Sequence, residues 1–177
     1  MPMIEPISEQ TIRSHIVRAV QEVFSTMLGR EVQFVDPPGQ TSAKPRPALE
    51  GKPGQHDPYV VGTVGFVGKI DGLIYLYLPE KFARLATSHL LGMSEYAIAA
   101  EGASVVNDAI GELTNMTVGV FKNALCDSGL TCRLTIPSIL RGSNFTIEPI
   151  SSATRWIFHF DCAGYRLVAD ILMKPQE

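Results

Sequence analysis

The fold of this 177-residue chain is decided first by residues 59–78, which read YVVGTVGFVGKIDGLIYLYL. Two runs in this stretch, Tyr59 to Val67 and Leu73 to Leu78, are rich in β-branched and aromatic residues. Between them lies Asp71-Gly72, a dipeptide typical of tight turns. The stretch therefore predicts a β-hairpin.

A second hairpin is predicted near the carboxyl end. Its strand-like runs are Arg155 to Asp161 and Tyr165 to Met173, with a turn at Ala163-Gly164. Strands that are joined by hairpins rather than by helical crossovers lie antiparallel. The two units therefore predict an antiparallel sheet.

Helical periodicity marks the segments outside the hairpins. Apolar residues recur at helical spacing from Ile12 to about Met27, with Ser8 as a candidate cap and Gly29 as a stop. A short strand is predicted from Glu31 to Val35.

Two further helices lie between the hairpins. A short helix is predicted to begin at Pro79 and end at Gly92, and the longest helix runs from about Ala103 to Cys126 and ends near Gly129. This order of elements predicts an α+β fold, in which long helices pack on one face of an antiparallel sheet built from two β-hairpin units. The two halves share a rhythm of long helix followed by strands, which indicates an internal pseudo-repeat.

The composition indicates one compact domain over residues 1–177. Hydrophobic residues make up 45% of the chain and charged residues 19%, which is typical of a folded globular protein. Residues 36–58 differ, because they hold six prolines and several glycines without apolar periodicity. They predict a long exposed loop rather than a linker, since the segment before them is too short to form a domain.

Several classes of function are disfavoured. The net charge of −3 and the lack of a basic run argue against a nucleic-acid partner. No apolar run is long enough to span a bilayer, and the amino terminus lacks the features of a secretion signal. Three cysteines without a CxxC motif favour a reducing cytoplasm, and the scattered histidines favour no metal site.

The longest predicted helix has one apolar stripe and one polar face. The predicted stripe consists of Val105, Ala109, Ile110, Leu113, Met116, Thr117, Val120, Phe121 and Ala124. The predicted polar face consists of Asp108, Gly111, Glu112, Asn115, Gly119 and Lys122. Because Glu112 and Asn115 are three residues apart, their side chains are neighbours.

Two properties of this face are unusual for a merely solvated surface. Gly111 and Gly119 each cost about 1 kcal/mol relative to alanine inside a helix, and Asn115 is a mediocre helix former. The face is therefore a candidate for docking a partner, with a carboxylate and an amide projecting from it. Periodicity alone leaves the alternative open that the face is solvated and the glycines let another element lie close.

The same helix carries a family resemblance. Residues 108–125, DAIGELTNMTVGVFKNAL, resemble the signature helix of the CheX/CheC/FliY phosphatases of bacterial chemotaxis, whose motif is Glu-x-x-Asn, an apolar residue, then Gly and Lys. Three further segments are similar to CheX proteins: FSTMLG at 24–29, GFVG at 65–68 and IPSILRG at 136–142. The resemblance covers most of the chain except the proline-rich segment.

The resemblance is to CheX rather than to CheC. CheC-type proteins carry the motif on two pseudo-symmetric helices, but the corresponding stretch of the first helix here reads Glu22-Val-Phe-Ser25. Serine lacks the paired carbonyl and amine of asparagine. Resemblance to CheX also implies a homodimer whose subunits are joined through their sheets.

The resemblance implies a phosphatase that acts on the aspartyl phosphate of a CheY-type response regulator. It implies that Asn115 orients the attacking water and that Glu112 pairs with the regulator's active-site lysine. Asp108, Gly111, Gly119 and Lys122 are the expected partner-binding residues. No cofactor of its own is expected, because Mg²⁺ belongs to the regulator's site. The alternatives are a non-catalytic adaptor that docks a regulator or a flagellar switch component, and a small-molecule domain, for which the sequence offers no polar constellation.

Overall fold

The computed structural model describes residues 7–35, 57–148, 150 and 152–175. The predicted loop at 36–58 lies outside the described residues except for its last two. The helices are α1 (Glu9–Leu28), α2 (Glu80–Leu91), α3 (Glu95–Glu101) and α4 (Ala103–Asp127). The strands are β1 (Gln33–Val35), β2 (Tyr59–Gly68), β3 (Ile70–Pro79), β4 (Cys132–Leu134), β5 (Ser138–Gly142), β6 (Thr154–Cys162) and β7 (Tyr165–Pro175).

The strands form one sheet in the order β1-β6-β7-β3-β2-β4, and β5 also pairs with β2. Every one of these pairs is antiparallel. The predicted α+β class is thereby confirmed. Exchanging β1 with β4, β2 with β6 and β3 with β7 reverses this order, so the two halves of the chain repeat one arrangement and confirm the pseudo-repeat.

The first hairpin forms, but its turn lies elsewhere than predicted. Phe66 pairs with Gly72, so Asp71-Gly72 lies inside β3 and the chain reverses at Lys69. The Asp71 carboxylate closes this turn by accepting a 3.0 Å hydrogen bond from the Gly68 N–H. Gly72 is not part of the turn. It leaves space for the Phe66 ring, which a Cβ at this position would overlap. The prediction of an Asp71-Gly72 turn was therefore wrong.

The second hairpin turns at the predicted residues. Cys162 pairs with Tyr165, and Ala163 and Gly164 connect them with φ values of 51° and 81°. Two successive positive φ angles are the geometry that matches the twist of a two-residue hairpin.

The helix ends agree with the sequence signals. The Ser8 side chain accepts a hydrogen bond from the Thr11 N–H at the start of α1. Gly29 and Gly92 end α1 and α2 in the left-handed region, with φ of 60° and 63°. Because a residue without Cβ adopts this conformation at little cost, glycine is favoured at both positions.

Helix α3 was not predicted. It has only seven residues, and Ile98 is its one buried residue, so it leaves no apolar stripe for a periodicity argument to detect. Its signal was instead the capping residue Ser94, whose hydroxyl accepts from the Ala97 N–H.

The helices pack on one face of the sheet and form the main core with it. On the opposite face, Phe145 and Ile147 pack against a smaller cluster formed by Val61, Tyr77 and Val168. The segment between β5 and β6 therefore covers part of the face that lacks helices.

Candidate functional site

Helix α4 lies directly against the sheet, and its Thr114 packs on Gly62 of β2. A Cβ at Gly62 would overlap the Thr114 hydroxyl and lie 2.8 Å from the Thr114 Cβ. Thr114 is fully buried, and its hydroxyl donates a 2.7 Å hydrogen bond to the Ile110 carbonyl. This contact fixes the depth and the rotation of α4 at the residue before Asn115.

The buried surface of α4 is rotated relative to the predicted stripe. Ala109, Ile110, Leu113, Thr117 and Phe121 are buried as expected. However, Val105, Met116, Val120 and Ala124 are only half-buried, while Val106, Thr114, Val118 and Leu125 are buried. Helix α4 contacts α1 and α2 as well as the sheet, so its buried surface is wider than one stripe. Thr114 and Thr117 fit there because their hydroxyls bond to carbonyls of their own helix.

Glu112 and Asn115 lie together on the open side of α4. Glu112 is exposed, and Asn115 is half-buried one turn further along. Within the described part of the chain, no hydrogen bond or ion pair occupies either side chain. The carboxylate and the amide are therefore both available to a partner.

The predicted charged residues extend this line along the helix. Asp108 is exposed one turn before Glu112, and Lys122 is half-buried two turns after Asn115. The helix thus presents two carboxylates toward its amino-terminal half, an amide near its middle and an ammonium group toward its carboxyl end.

Gly111 and Gly119 were both predicted to lie on the outward polar face, but the structure buries them to different extents. Gly111 is buried rather than outward-facing, yet an added Cβ would meet no atom within 4 Å beyond its immediate neighbours. Gly119 is half-buried, and a Cβ there would lie 3.9 Å from Leu134 Cδ1, an ordinary contact. Neither glycine is required by a close approach of another described element.

Sequence reasoning missed the residues that hold α4 in place. Arg141 on β5 donates from Nε to Asn107 Oδ1 at 2.7 Å and from Nη2 to the Ala103 carbonyl at 3.3 Å. Its Nη1 lies 3.5 Å from Glu80 Oε1 at the start of α2. The segment IPSILRG contains this arginine, but the resemblance assigned it no role, and a single exposed arginine forms no recognisable sequence pattern.

The stretch of α1 that the sequence resemblance matched to the α4 motif differs from it. Glu22 and Ser25 lie near the carboxyl end of α1, whereas Glu112 and Asn115 lie near the middle of α4. Glu22 and Ser25 line an open groove of about 690 Å³ between α1 and β1. The Glu22 carboxylate lies 3.5 Å from Arg18 Nε, so it already has an ionic partner. With serine in place of asparagine, this face lacks the amide that the α4 face presents.

No cluster of three or more histidine, cysteine or acidic side chains suited to a metal ion occurs among the described residues. Nor does any described helix combine the length and apolarity required to cross a membrane.

Solved structures of similar fold come from chemotaxis proteins. A CheC-like superfamily protein from Shewanella sp. PV-4 has a TM-score of 0.75 at 24% identity, covering 94% of this chain and 99% of its own. Chemotaxis protein CheX from Vibrio vulnificus has a TM-score of 0.71 at 22% identity, covering 94% and 97%. A chain of the CheX–CheY–BeF₃–Mg²⁺ complex from Borrelia burgdorferi has a TM-score of 0.65 at 20% identity, covering 92% and 97%. At these identities the likeness establishes the fold.

Among curated proteins, no sequence matches this chain significantly. A family model described as chemotaxis phosphatase CheX matches residues 60–161. The match includes the first hairpin, all of α4 and most of β6, which is more than half of the chain. This protein therefore belongs to the CheX family of chemotaxis phosphatases.

Proposed function

We propose that this protein hydrolyses the aspartyl phosphate of a CheY-type response regulator, with Asn115 orienting the attacking water and Glu112 docking to the regulator's active-site lysine. One observation carries the proposal. The Glu112 carboxylate and the Asn115 amide lie one turn apart on the open side of α4, and neither has an intramolecular partner among the described residues. The contact of Thr114 with Gly62 on β2 fixes the position of this helix.

The amide suits the hydrolytic step. Loss of phosphate requires a water in line with the leaving carboxylate, while metal and lysine already stabilise the charge on the phosphoryl oxygens. The Asn115 oxygen can accept a hydrogen bond from this water, and its nitrogen can donate to the phosphoryl group. Positioning of this kind supplies several kcal/mol of a barrier, about 7–11 at the upper limit. Because Asn115 is half-buried, fewer side-chain conformations are open to it.

The carboxylate suits the docking step. A charge-assisted hydrogen bond from the regulator's lysine to Glu112 would fix the register, so that Asn115 enters at the right depth. Asp108 would add to the attraction for this cation, and Gly111, Gly119 and Lys122 would border the contact.

The metal of the reaction belongs, in this proposal, to the regulator, and this chain holds no cofactor of its own. The Borrelia complex, which contains CheX, CheY, BeF₃ and Mg²⁺, supports this arrangement by similarity of fold. We also propose that the protein acts in the cytoplasm as a homodimer joined through sheet edges, either β1 or the edge formed by β4 and β5.

The test is loss of phosphate from a phosphorylated response regulator of the same organism in the presence of Mg²⁺. Asn115→Ala should reduce the rate at saturating protein by roughly 100-fold, the scale for removing one oriented amide from a transition state. It should still bind the regulator. Asn123→Ala, an exposed asparagine two turns further along α4, is the matched control and should keep the wild-type rate.

Glu112→Ala separates docking from chemistry, because it should weaken binding to the activated regulator. An adaptor predicts a different pattern. Wild-type protein would then bind the activated regulator and leave its rate of phosphate loss unchanged, and Asn115→Ala would have no effect on that rate.

A further inference from the structure

We infer that Ile136, on the loop between β4 and β5, is an apolar docking contact for the response regulator, beside the Glu112–Asn115 face. The inference rests on the proposed function, because it names a further part of the same interface. Ile136 is 88% exposed, more than any other large apolar side chain in the described part of the chain.

Two contacts place Ile136 alongside the site. Before it, Leu134 Cδ1 lies 3.9 Å from the position of a Cβ on Gly119. After it, Arg141 bonds to Asn107. Residues 135–140 therefore run beside α4 between the levels of residues 107 and 119, a length of about 18 Å at 1.5 Å per residue. Asn115 lies inside this interval.

The loop that carries Ile136 is held rigidly. The Thr135 hydroxyl accepts a 2.9 Å hydrogen bond from the Gly65 N–H, and the Thr135 N–H donates to the Gly65 carbonyl at 2.8 Å. On the other side, Pro137 restricts the backbone. Thr135 is therefore fixed to β2 while Ile136 projects into solvent. A side chain presented on a fixed backbone loses little conformational freedom when a partner covers it.

The size of a protein interface supports this assignment. A specific interface buries about 800 Å² on each partner, which corresponds to a patch roughly 16 Å in radius. Leu134, two residues before Ile136, contacts α4 at Gly119, one turn from Asn115. A regulator centred on Glu112 and Asn115 with a patch of this radius therefore covers Ile136. The α4 face itself offers charged and amide groups, whereas a binding interface also gains free energy from apolar side chains that the partner removes from water. Ile136 supplies such a side chain, and the partner surface that fits it is an apolar patch beside the phosphorylated aspartate.

An apolar contact away from the reacting atoms acts equally on the bound substrate and on the transition state. It therefore strengthens binding without accelerating the chemical step. This distinguishes Ile136 from Asn115, whose loss should lower the rate of the bound complex.

The experiment measures binding of full-length protein to a regulator activated with Mg²⁺ and beryllofluoride, together with phosphate loss. Ile136→Ser should raise the dissociation constant roughly 10-fold, while the rate at saturation stays at the wild-type value. Ile136→Leu should restore wild-type binding. Ile150→Ser is the matched control, because Ile150 is 65% exposed and follows the segment that packs on the opposite face of the sheet.

Wild-type binding by Ile136→Ser, or an equal loss with Ile150→Ser, would overturn the inference. So would self-association that falls in Ile136→Ser by light scattering, since Ile136 would then contact a second copy of the chain. If wild-type protein binds the regulator without accelerating phosphate loss, the proposed function fails, while the binding comparison still decides the role of Ile136. Absence of wild-type binding would refute both.

Discussion

At the scale of single residues, the position of Asn115 depends on Gly62, which has no side chain and lies under the neighbouring Thr114. Gly62 leaves room for Thr114, and any Cβ at Gly62 would force α4 away from β2. Such overpacking costs about 1–3 kcal/mol. We expect Gly62→Ala to lower the free energy of unfolding by this amount and to reduce the rate of phosphate loss at saturation more than it weakens binding.

Gly111→Ala is the matched control for that prediction, because the same added methyl group meets open space. It should raise the free energy of unfolding by up to about 1 kcal/mol through helix propensity. Urea unfolding and saturation kinetics measure both variants. Wild-type stability and rate in Gly62→Ala would show that the contact does not hold the helix in place.

At the scale of elements, α1 and α4 meet through His15. Its ring packs edge-on against Phe121 with centroids 6.4 Å apart, and its Nε2 is buried without a hydrogen-bond partner among the described residues. Burial lowers the pKa of His15, the Arg18 charge acts in the same direction, and Asp127 acts in the opposite direction.

The sign of the resulting pH dependence follows from this shift. The unfolded chain binds a proton at His15 below a pH of about 6.5, whereas the folded protein binds it only at lower pH. The free energy of unfolding should therefore fall as the pH drops below that value. His15→Phe should make this decline shallower in urea unfolding between pH 7 and 5. The same substitution at exposed His89 is the control, and an equal decline in wild type and His15→Phe would contradict the prediction.

Elements with local signals were predictable from the sequence, whereas features set by tertiary contacts were not. Ser8 and Gly29 at the ends of α1, and Ala163-Gly164 in the second hairpin, act through their own backbone conformations. The turn at Lys69 depends instead on Gly72 making room for a ring on the paired strand.

The residues of the candidate site also fall into those that a local sequence pattern predicts and those that only tertiary contacts reveal. Glu112 and Asn115 were predicted because helical spacing and the family motif agree. Helical spacing did not reveal that Thr114 is buried. Its hydroxyl bonds to a carbonyl of its own helix, so a polar residue occupies a position that the apolar pattern does not mark as buried. Gly62 and Arg141 are distant in sequence from the helix that they position, so no local pattern links them to it.

At the scale of the whole molecule, two similar halves share one sheet but differ in chemistry. Helices α1 and α4 pack together on the same face of the sheet. Helix α4 presents Glu112 and Asn115 near its middle, whereas α1 carries Glu22 and Ser25 near its carboxyl end. The α1 carboxylate at this position is also engaged by Arg18. The unengaged carboxylate and amide of the α4 motif are therefore not reproduced in the Glu22–Ser25 stretch of α1.

The opposite face of the sheet is held by a buried ion pair. Arg155 on β6 bonds to both carboxylate oxygens of Asp170 on β7, at 2.9 and 2.6 Å, and its third contact is a 3.0 Å bond to the Ile147 carbonyl. Asp170 is fully buried. The pair therefore links the central strands to the segment that covers this face.

Removing one partner of this pair should cost more than removing both. Arg155→Met leaves a buried carboxylate without its cation, and we expect the free energy of unfolding at pH 7 to fall by about 3–5 kcal/mol. The double variant Arg155→Met with Asp170→Leu should lose less, because no uncompensated charge remains. Urea unfolding of the three proteins measures the difference, and a double variant less stable than Arg155→Met would contradict it.

The pH dependence of Arg155→Met tests the same explanation independently. Burial raises the pKa of Asp170, and in the wild-type protein the hydrogen bonds and charge of Arg155 act in the opposite direction. Without Arg155, burial alone determines the shift, so the folded variant should hold a proton on Asp170 at a pH where the unfolded chain has lost it. A carboxyl pKa raised in this way destabilises the fold as the pH rises above about 3.9. The stability deficit of Arg155→Met relative to wild type should therefore shrink between pH 7 and pH 5, while a deficit that stays constant would mean that lost packing, rather than the buried charge, causes it.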